Sequence, residues 1–385
     1  MKKRKHWLMY VLKFLLHLVW IVSALVVSYF AIVFGLAWIE KYTPDSIENV
    51  EFVQSQSDQD IYFFDELETF VRIATWDIGD ACRGSESDYF REGGNLSAPD
   101  SETYQKYLQG VLSSVSQLDY TDIILLQNVD IDSKRSRYIN QHEMIAGSLQ
   151  YFGHVYSLNA VSPYVMCPLT SPEGKIKSGM SVFSKLDFEE IKRFALPSVY
   201  VPLYDPLTDA PCFQVSRFSL RNGTFLVVLN IQNIPLRQHP ALRLHHLQII
   251  KSVMLEEYCN GNFVVAAGNW QMNPHGFDLT GFSTADKGFA YSAPLDLDFF
   301  PSGWRMVYDN SVPSRRLCNA VYAHGKTRTT ITDFFVLSPN VEVHSCKTIN
   351  AGFENSNHNP VILELYIPLI KDSLLMESEV LLNGK

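Results

Sequence analysis

The clearest indication of the fold of this 385-residue chain is the segment Asp122-Ile123-Ile124-Leu125-Leu126-Gln127-Asn128-Val129-Asp130. Four consecutive apolar side chains form its centre, and the polar side chains of Gln127 and Asn128 follow directly. A short apolar run that ends in polar residues is typical of a buried strand. We therefore expect a strand over residues 122–127, with polar side chains at its end.

Short apolar runs of this kind alternate with helical patterns along the chain. Amphipathic helices are predicted over residues 101–118 and 241–258. The predicted strands cover residues 70–76, 122–127, 180–184, 214–220, 224–230, 262–267, 329–337 and 361–367. This alternation favours an α/β layered architecture over a helical bundle. No internal repeat or long low-complexity linker divides the region.

Six further motifs accompany the opening stretch, each near the end of a predicted strand. In chain order they are Ala74-Thr75-Trp76-Asp77-Ile78-Gly79, Ser178-Gly179-Met180-Ser181-Val182-Phe183-Ser184, Val228-Leu229-Asn230-Ile231-Gln232-Asn233, Val265-Ala266-Ala267-Gly268-Asn269-Trp270-Gln271, Thr332-Asp333-Phe334-Phe335-Val336 and Ser356-Asn357-His358-Asn359-Pro360-Val361. In this order the seven motifs resemble those of the endonuclease/exonuclease/phosphatase family, and most closely a bacterial, often membrane-tethered branch. The resemblance covers residues 70–367 and implies an α/β fold, a four-layer α/β/β/α sandwich with a cleft at one sheet edge.

The resemblance also implies which residues stand at the metal and water positions of active family members. There, a Glu binds Mg²⁺ or Mn²⁺ at the position of Asn128, and an Asp completes the metal side at the position of Asn357. An Asp and an Asn that orient the attacking water and the phosphate correspond to Asn269 and Gln271. Each carboxylate expected at these positions is therefore replaced by an amide.

Two proton-transfer positions and one supporting position remain. The resemblance places general acid/base histidines at Gln232 and His358, and the second is oriented by the carboxylate of Asp333. Only His358 and Asp333 retain the expected residue types. Asp77 stands where the family usually has Asn, and Gln232 cannot exchange a proton near neutral pH as imidazole can.

These substitutions favour a catalytically degenerate protein that acts as a binding or scaffold module for a phosphoester or polar ligand and needs no cofactor, with Mg²⁺ or Mn²⁺ as the cofactor if it is active. The alternative is a divalent-metal-dependent phosphodiesterase, nuclease or phosphatase with a rearranged site. In that case Asp77 would supply the missing carboxylate, helped by Asp80, Asp130 or Asp132. Turn or capping roles are favoured for Asp80 and Asp132, because Asp side chains hydrogen-bond to nearby backbone.

A noncatalytic cleft lined by amides has two interpretations. The amides could bind a sugar, a lipid head group or a phosphoester without metal, with His358 facing a phosphate. They could equally satisfy one another and the nearby backbone. Both interpretations are open at this point.

Three other groups of residues are assigned structural roles. The basic residues near the motifs are expected to be solvated surface, with steering of a phosphate as the alternative: Lys134, Arg135, Arg137, Arg315 and Arg316. The aromatic residues of the 275–304 connection are expected to anchor a long loop, with lining of a ligand cleft as the alternative: Phe277, Phe282, Phe289, Tyr291, Phe299, Phe300 and Trp304. Adjacent His245 and His246 point in different directions on a helix, which favours surface or packing roles over a metal pair.

The N-terminus predicts a membrane anchor. Five basic residues, Lys2, Lys3, Arg4, Lys5 and Lys13, precede residues 14–39, which contain no Asp, Glu, Lys or Arg. This run is long enough to span a bilayer and longer than a signal-peptide core. The charge asymmetry places the N-terminus in the cytoplasm and the body outside it. The predicted segments are 1–13 basic N-terminus, 14–39 anchor, 40–69 linker, 70–367 domain and 368–385 C-terminal tail.

Charge and cysteine usage limit the partners. The chain has a formal net charge of -9, although five of its basic residues precede the body. An acidic surface disfavours nonspecific binding to nucleic acid, which requires phosphate neutralisation. The six cysteines form no CxxC or zinc pattern, and sequence alone cannot pair them.

Overall fold

The computed structural model describes residues 2–39, 42, 44–56, 68–198, 210–220, 223–233, 240–277 and 294–368. Helices and strands alternate over these ranges. The helices are α1 (Lys2–Ile39), α2 (Ser101–Ser116), α3 (Gln141–Ser148) and α4 (Pro240–Cys259). The strands are β1 (Ile47–Asn49), β2 (Phe52–Val53), β3 (Glu68–Asp77), β4 (Ile123–Asp130), β5 (Gly153–Val165), β6 (Gly174–Ser184), β7 (Glu190–Ala195), β8 (Cys212–Ser219), β9 (Phe225–Gln232), β10 (Phe263–Asn269), β11 (Arg305–Val307), β12 (Arg315–Arg316), β13 (Thr329–Thr330), β14 (Asp333–Leu337), β15 (Glu342–Thr348) and β16 (Val361–Pro368).

Two seven-stranded sheets face each other. Their strand orders are β1-β7-β8-β9-β10-β14-β11 and β15-β16-β3-β4-β6-β5-β2. Apolar side chains from both sheets, including Ile73, Leu125 and Val265, form the core between them. α4 covers the outer face of the first sheet through Ile250, and α2 covers that of the second through Leu108, with α3 beside it. The four-layer α/β/β/α sandwich is thereby confirmed.

The centre of each sheet contains a parallel pair of strands. β3 is parallel to β4, and β9 is parallel to β10. Parallel strands end at the same edge of a sheet, so their terminal side chains lie close together. Asp77 ends β3, Gln232 ends β9 and Asn269 ends β10. The strand ends of both sheets therefore supply one end of the sandwich with polar side chains.

Some elements differ from the sequence-based expectation. The predicted strand over residues 329–337 is divided into β13 and β14. The reason is local, because the backbone N–H groups of Thr332 and Asp333 both donate to the Ser314 hydroxyl instead of to a neighbouring strand. The strands without a counterpart among the predicted ones are β1, β2, β5, β7, β11, β12 and β15.

The segment between the apolar helix and the predicted domain contributes to both sheets. β1 pairs with β7 in the first sheet, and β2 pairs with β5 in the second. Gln54 reinforces this attachment, because its side chain donates to Phe188 O at 2.8 Å and accepts from Phe188 N at 2.9 Å. Part of the 40–69 segment is thus an edge of the sandwich.

The N-terminal helix is long and apolar enough to cross a membrane. α1 starts at Lys2, so the basic residues form its first turns, and its apolar span covers His6–Val33. The helix meets this requirement by its length and its residue composition.

Most of the residues to which the sequence analysis assigned structural roles have those roles in the fold. His246 is buried and its Nε2 lies 2.6 Å from Pro197 O, whereas His245 is exposed. Phe300 and Trp304 pack in the core under α4, as expected for loop anchors. Phe282, Phe289 and Tyr291 lie outside the described residues. All six cysteines fall within the described ranges and are free thiols.

Candidate functional site

The Asp77 carboxylate is the centre of the candidate site. It is buried at the end of β3, and its two oxygens each accept a hydrogen bond from Asn128 Nδ2 at 2.8 Å. Asn269 Nδ2 donates to Asp77 Oδ2 at 2.8 Å, and Gly79 N donates to Oδ1 at 2.9 Å. Two amides from opposite sheets therefore hold one carboxylate, and their donor role is fixed because an ionised carboxylate only accepts.

The electrostatic environment keeps Asp77 ionised. Burial alone would raise its pKa, but the charges of His358 and Arg83, together with the amide donors, lower the pKa of Asp77 to about 2. His358 Nε2 lies 3.7 Å from Asp77 Oδ2. The site therefore contains a negative charge at the position where the family resemblance leads one to expect a neutral amide.

His358 and Asp333 form the expected carboxylate–imidazole pair. His358 Nδ1 donates to Asp333 Oδ2 at 2.8 Å, and both residues are buried. The same oxygen accepts from the hydroxyls of Ser314 at 2.7 Å and Thr332 at 3.1 Å. Asp333 Oδ1 has no hydrogen-bond partner among the described residues.

The backbone at two of the replaced positions is unusual. Asn128 has φ +53° and Gln271 has φ +54°. The pairing of β4 with β6 shifts register between Leu126 and Val129, which is a bulge that redirects the Asn128 side chain. Asn adopts this left-handed conformation more readily than most residues, so it is compatible with the local backbone.

The other replaced positions lie at the same end of the sandwich. Gln271 N donates to Asn269 Oδ1 at 3.1 Å. Gln232 pairs in register with Asn269 across β9 and β10, and its buried Oε1 has no partner in the described ranges. Asn357 is fully buried, and neither of its amide atoms has a partner there. It stands beside Gly79, where an added Cβ would lie 2.9 Å from Asn357 Oδ1.

A divalent cation does not fit these residues. Mg²⁺ requires several oxygen ligands in near-octahedral geometry. Both oxygens of Asp77 face N–H donors, and Asp333 Oδ2 is occupied by His358 and two hydroxyls. Within the described ranges, no group of three or more His, Cys, Asp or Glu side chains is arranged to hold a metal. We therefore derive no chemical step that passes through a metal.

The three carboxylates that could have helped Asp77 to form a metal site, those of Asp80, Asp130 and Asp132, form ion pairs with basic side chains instead. Asp80 is buried and pairs with Arg135 at 2.6 Å and with Arg83 at 2.7 Å. Asp130 also pairs with Arg135, at 2.9 Å, and Asp132 pairs with Lys175 at 2.6 Å. Asp80 lies in the 3-10 turn Gly79–Ala81, in line with its assignment to a turn, but its side chain belongs to a buried ion-pair network instead of capping nearby backbone.

The assignment of the basic residues to solvated surface is wrong for three of the five. Arg315 and Arg316 are buried, and Arg135 is nearly so. Arg315 donates to Gln271 Oε1 and to Glu92 Oε1, and its backbone bridges to His358. Arg316 instead donates to backbone carbonyls such as Gly84 O at 2.6 Å.

Sequence reasoning missed several residues that position the site. Arg83, Glu92, Ser314 and Arg315 reach it from segments whose sequences match no family motif. Ser314 is 19 residues before Asp333 in the chain, and only the fold brings its hydroxyl to the carboxylate. The only sequence signal for any of these residues was the charge of Arg315 close to a motif. That signal did not show that the Arg315 side chain is buried.

Comparison with known proteins agrees with the architecture. No protein-family model matches the chain, and the search of curated proteins found no match. Among solved structures, an endonuclease/exonuclease/phosphatase protein from Beutenbergia cavernae is 15% identical, with a TM-score of 0.52 over 78% of this chain and 72% of its own. Related proteins from Bacteroides vulgatus and Leptotrichia buccalis are 15% and 13% identical, with TM-scores of 0.48 and 0.49. They match 77% of this chain and 98% and 99% of their own chains.

The layered sheets, with polar strand ends at one end, define a four-layer α/β/β/α sandwich. More specifically, the chain has the endonuclease/exonuclease/phosphatase fold.

Proposed function

We propose that this chain is a membrane-anchored, catalytically inactive protein of the endonuclease/exonuclease/phosphatase fold, and that its cleft binds a polar ligand. The observation that carries the proposal is the saturation of Asp77 by the amides of Asn128 and Asn269. Those amides stand where the resemblance places a metal-binding Glu and a water-orienting Asp. The side chains at those two positions do not bind a metal and instead hydrogen-bond to Asp77.

Hydrolysis of a phosphoester requires large stabilisation of charge in the transition state. His358 retains its Asp333 partner, but a single imidazole replaces neither the metal nor the second histidine. The carboxylates Asp80 and Asp130 are held by arginine. No described residue favours the rearranged metal-dependent hydrolase, which stays an outcome of the experiment below.

Binding is supported by polar atoms that have no partner. Asn128 and Asn269 satisfy Asp77, so for these two residues the structural interpretation of the amides is sufficient. The structural interpretation does not explain Asn357, because its buried side-chain oxygen and nitrogen both lack hydrogen-bond partners in the described part of the chain. Buried polar groups are usually hydrogen-bonded, so such atoms mark places for water or ligand. A sugar hydroxyl, a lipid head group or a phosphoester supplies suitable atoms.

The experiment uses the full chain in lipid nanodiscs. Bis(p-nitrophenyl) phosphate with Mn²⁺ should be hydrolysed no faster by this protein than by His358→Ala. Thermal shifts are then measured with inorganic phosphate, glycerophosphocholine and glucose. We expect at least one probe to stabilise the protein, and the shift to disappear in Asn357→Ala but not in the matched exposed control Asn260→Ala.

The variant Asn357→Ala is informative because the side chain makes no hydrogen bond whose loss would unfold the protein. Metal-dependent turnover that disappears in His358→Ala would overturn the claim of inactivity. Equal shifts in both Asn variants, or no shift with any of the three probes, would overturn the claim of a ligand site.

A further inference from the structure

The β5–β6 hairpin projects past the candidate site. Asp130, at the end of β4, pairs with Ser178 of β6, whereas β5 and β6 continue to pair as far as Val165 and Gly174. The hairpin therefore extends about four residues, or roughly 13 Å, beyond the end of β4. Its connecting loop, residues 166–173, stands at the same end of the sandwich as Asp77.

The apolar helix meets this hairpin. The ring of Tyr29 lies edge-on to that of Tyr164 near the end of β5, with centroids 6.3 Å apart and an interplanar angle of 83°. Val33 is buried and Phe30 is half-buried, whereas most of the preceding α1 side chains are exposed. A bilayer core needs about 20 residues, so Tyr29 and Val33 lie at the outer end of the His6–Val33 span. In a chain anchored by α1, the hairpin is therefore held at the bilayer surface.

The loops around the hairpin expose apolar side chains. Leu169 at its tip is 85% exposed, Tyr138 is 58% exposed and Leu96 is 48% exposed. Their loops touch, because Ser97 Oγ lies 3.1 Å from Ser171 Oγ and Arg137 donates to Pro99 O at 2.6 Å. Single exposed apolar residues are normal on proteins. Three on adjoining loops, at the end where the anchor meets the body, need an explanation.

Basic groups and backbone strain accompany these side chains. Lys134 donates to Pro172 O in the hairpin loop at 3.0 Å, and Arg137 lies next to Tyr138. Arg137 and Tyr138 have φ values of +58° and +60°, a strained conformation that tends to occur in functional segments. Apolar side chains beside Lys and Arg suit the boundary between acyl chains and anionic head groups.

We propose that Leu96, Lys134, Arg137, Tyr138 and Leu169, here called the hairpin surface, dock on the lipid bilayer that holds α1. The proposal rests on the membrane anchorage included in the proposed function. It turns the end of the sandwich that contains Asp77 towards the membrane. A ligand of the Asp77 site would then be a group presented at the bilayer surface, such as a lipid head group.

The test is photocrosslinking of the full chain in nanodiscs of phosphatidylcholine and phosphatidylglycerol. p-Benzoylphenylalanine is placed at Leu169, at Tyr151 or at Val22. Tyr151 is the matched control, because it is 67% exposed but stands just before β5, about 40 Å from the hairpin tip. Val22 lies within the span and reports on the anchorage.

We expect lipid adducts at Leu169 and Val22, with several-fold less at Tyr151. Equal yields at Leu169 and Tyr151, with an adduct at Val22, would overturn the docking and leave the anchorage standing. Absence of an adduct at Val22 would overturn both. A crosslink from Leu169 to a second copy of the chain, without lipid, would show that the surface binds protein instead.

Discussion

Asp77 and its two amide partners exchange the charges expected from the family resemblance. The resemblance leads one to expect negative charge at Asn128 and Asn269, whereas in this chain the charge is on Asp77, and the two amides donate to it from opposite sheets. An amide has nearly the shape of a carboxylate, so this arrangement changes charge more than shape. What changes is the ability of the group to bind a cation.

Asp77→Asn should destabilise the protein by about 2–4 kcal/mol at neutral pH, because one of the two acceptor oxygens becomes an NH2 group that faces buried N–H donors. The free energy of unfolding is measured by denaturant titration, with exposed Asp187→Asn as the control. The lowered pKa of Asp77, about 2 against 3.8 unfolded, means that its stabilisation is complete above pH 4 and is lost as pH falls towards 2. A deficit that stayed constant down to pH 2 would contradict this account.

For whole elements, strands with a continuous apolar core were predictable, and the strands that were not predicted lie at or next to the sheet edges. β10 is buried along its whole length and β4 is buried except at Asn128, and their apolar sequences show this burial. β15 alternates exposed and half-buried side chains at the edge of its sheet, and β5 is interrupted by Ser and Pro. The motifs likewise located Asn128, Asn269 and His358. They could not show the burial of Arg315 or the ion pairs of Asp80, because both depend on loops brought together only by the fold.

The segment before the predicted domain offers a test at the same scale. Gln54→Ala should lower the free energy of unfolding by about 1–2 kcal/mol, because it removes two hydrogen bonds to Phe188. Nearby exposed Gln56→Ala is the control. Equal, negligible effects of the two substitutions would mean that residues 47–54 behave as a linker and not as an edge of both sheets.

At the scale of the whole molecule, α1 and the charge asymmetry around it predict a single-pass protein with its body outside the cytoplasm. Protease added to intact cells or spheroplasts should degrade the region beyond Glu40. A cytoplasmic marker protein provides the control for membrane integrity. Protection of the whole body would show that the orientation is reversed.

The exchange of charges also determines how metal binding would be restored. Asn128→Glu or Asn269→Asp alone would place a second carboxylate against Asp77, where like charges repel. The restored variant therefore needs Asp77→Asn with Asn128→Glu, Asn269→Asp and Asn357→Asp, together with Gln232→His and Gln271→Asn. Single reversions should do little, since groups that act as a unit are strongly non-additive.

Calorimetric titration of the full chain with Mn²⁺ shows whether the site around Asp77 binds a divalent cation. We expect no saturable binding by the unmodified protein and measurable binding by the restored variant. The account would be contradicted by saturable Mn²⁺ binding to the unmodified protein that is lost in Asp77→Ala or Asp333→Ala, because those carboxylates would then form a working metal site.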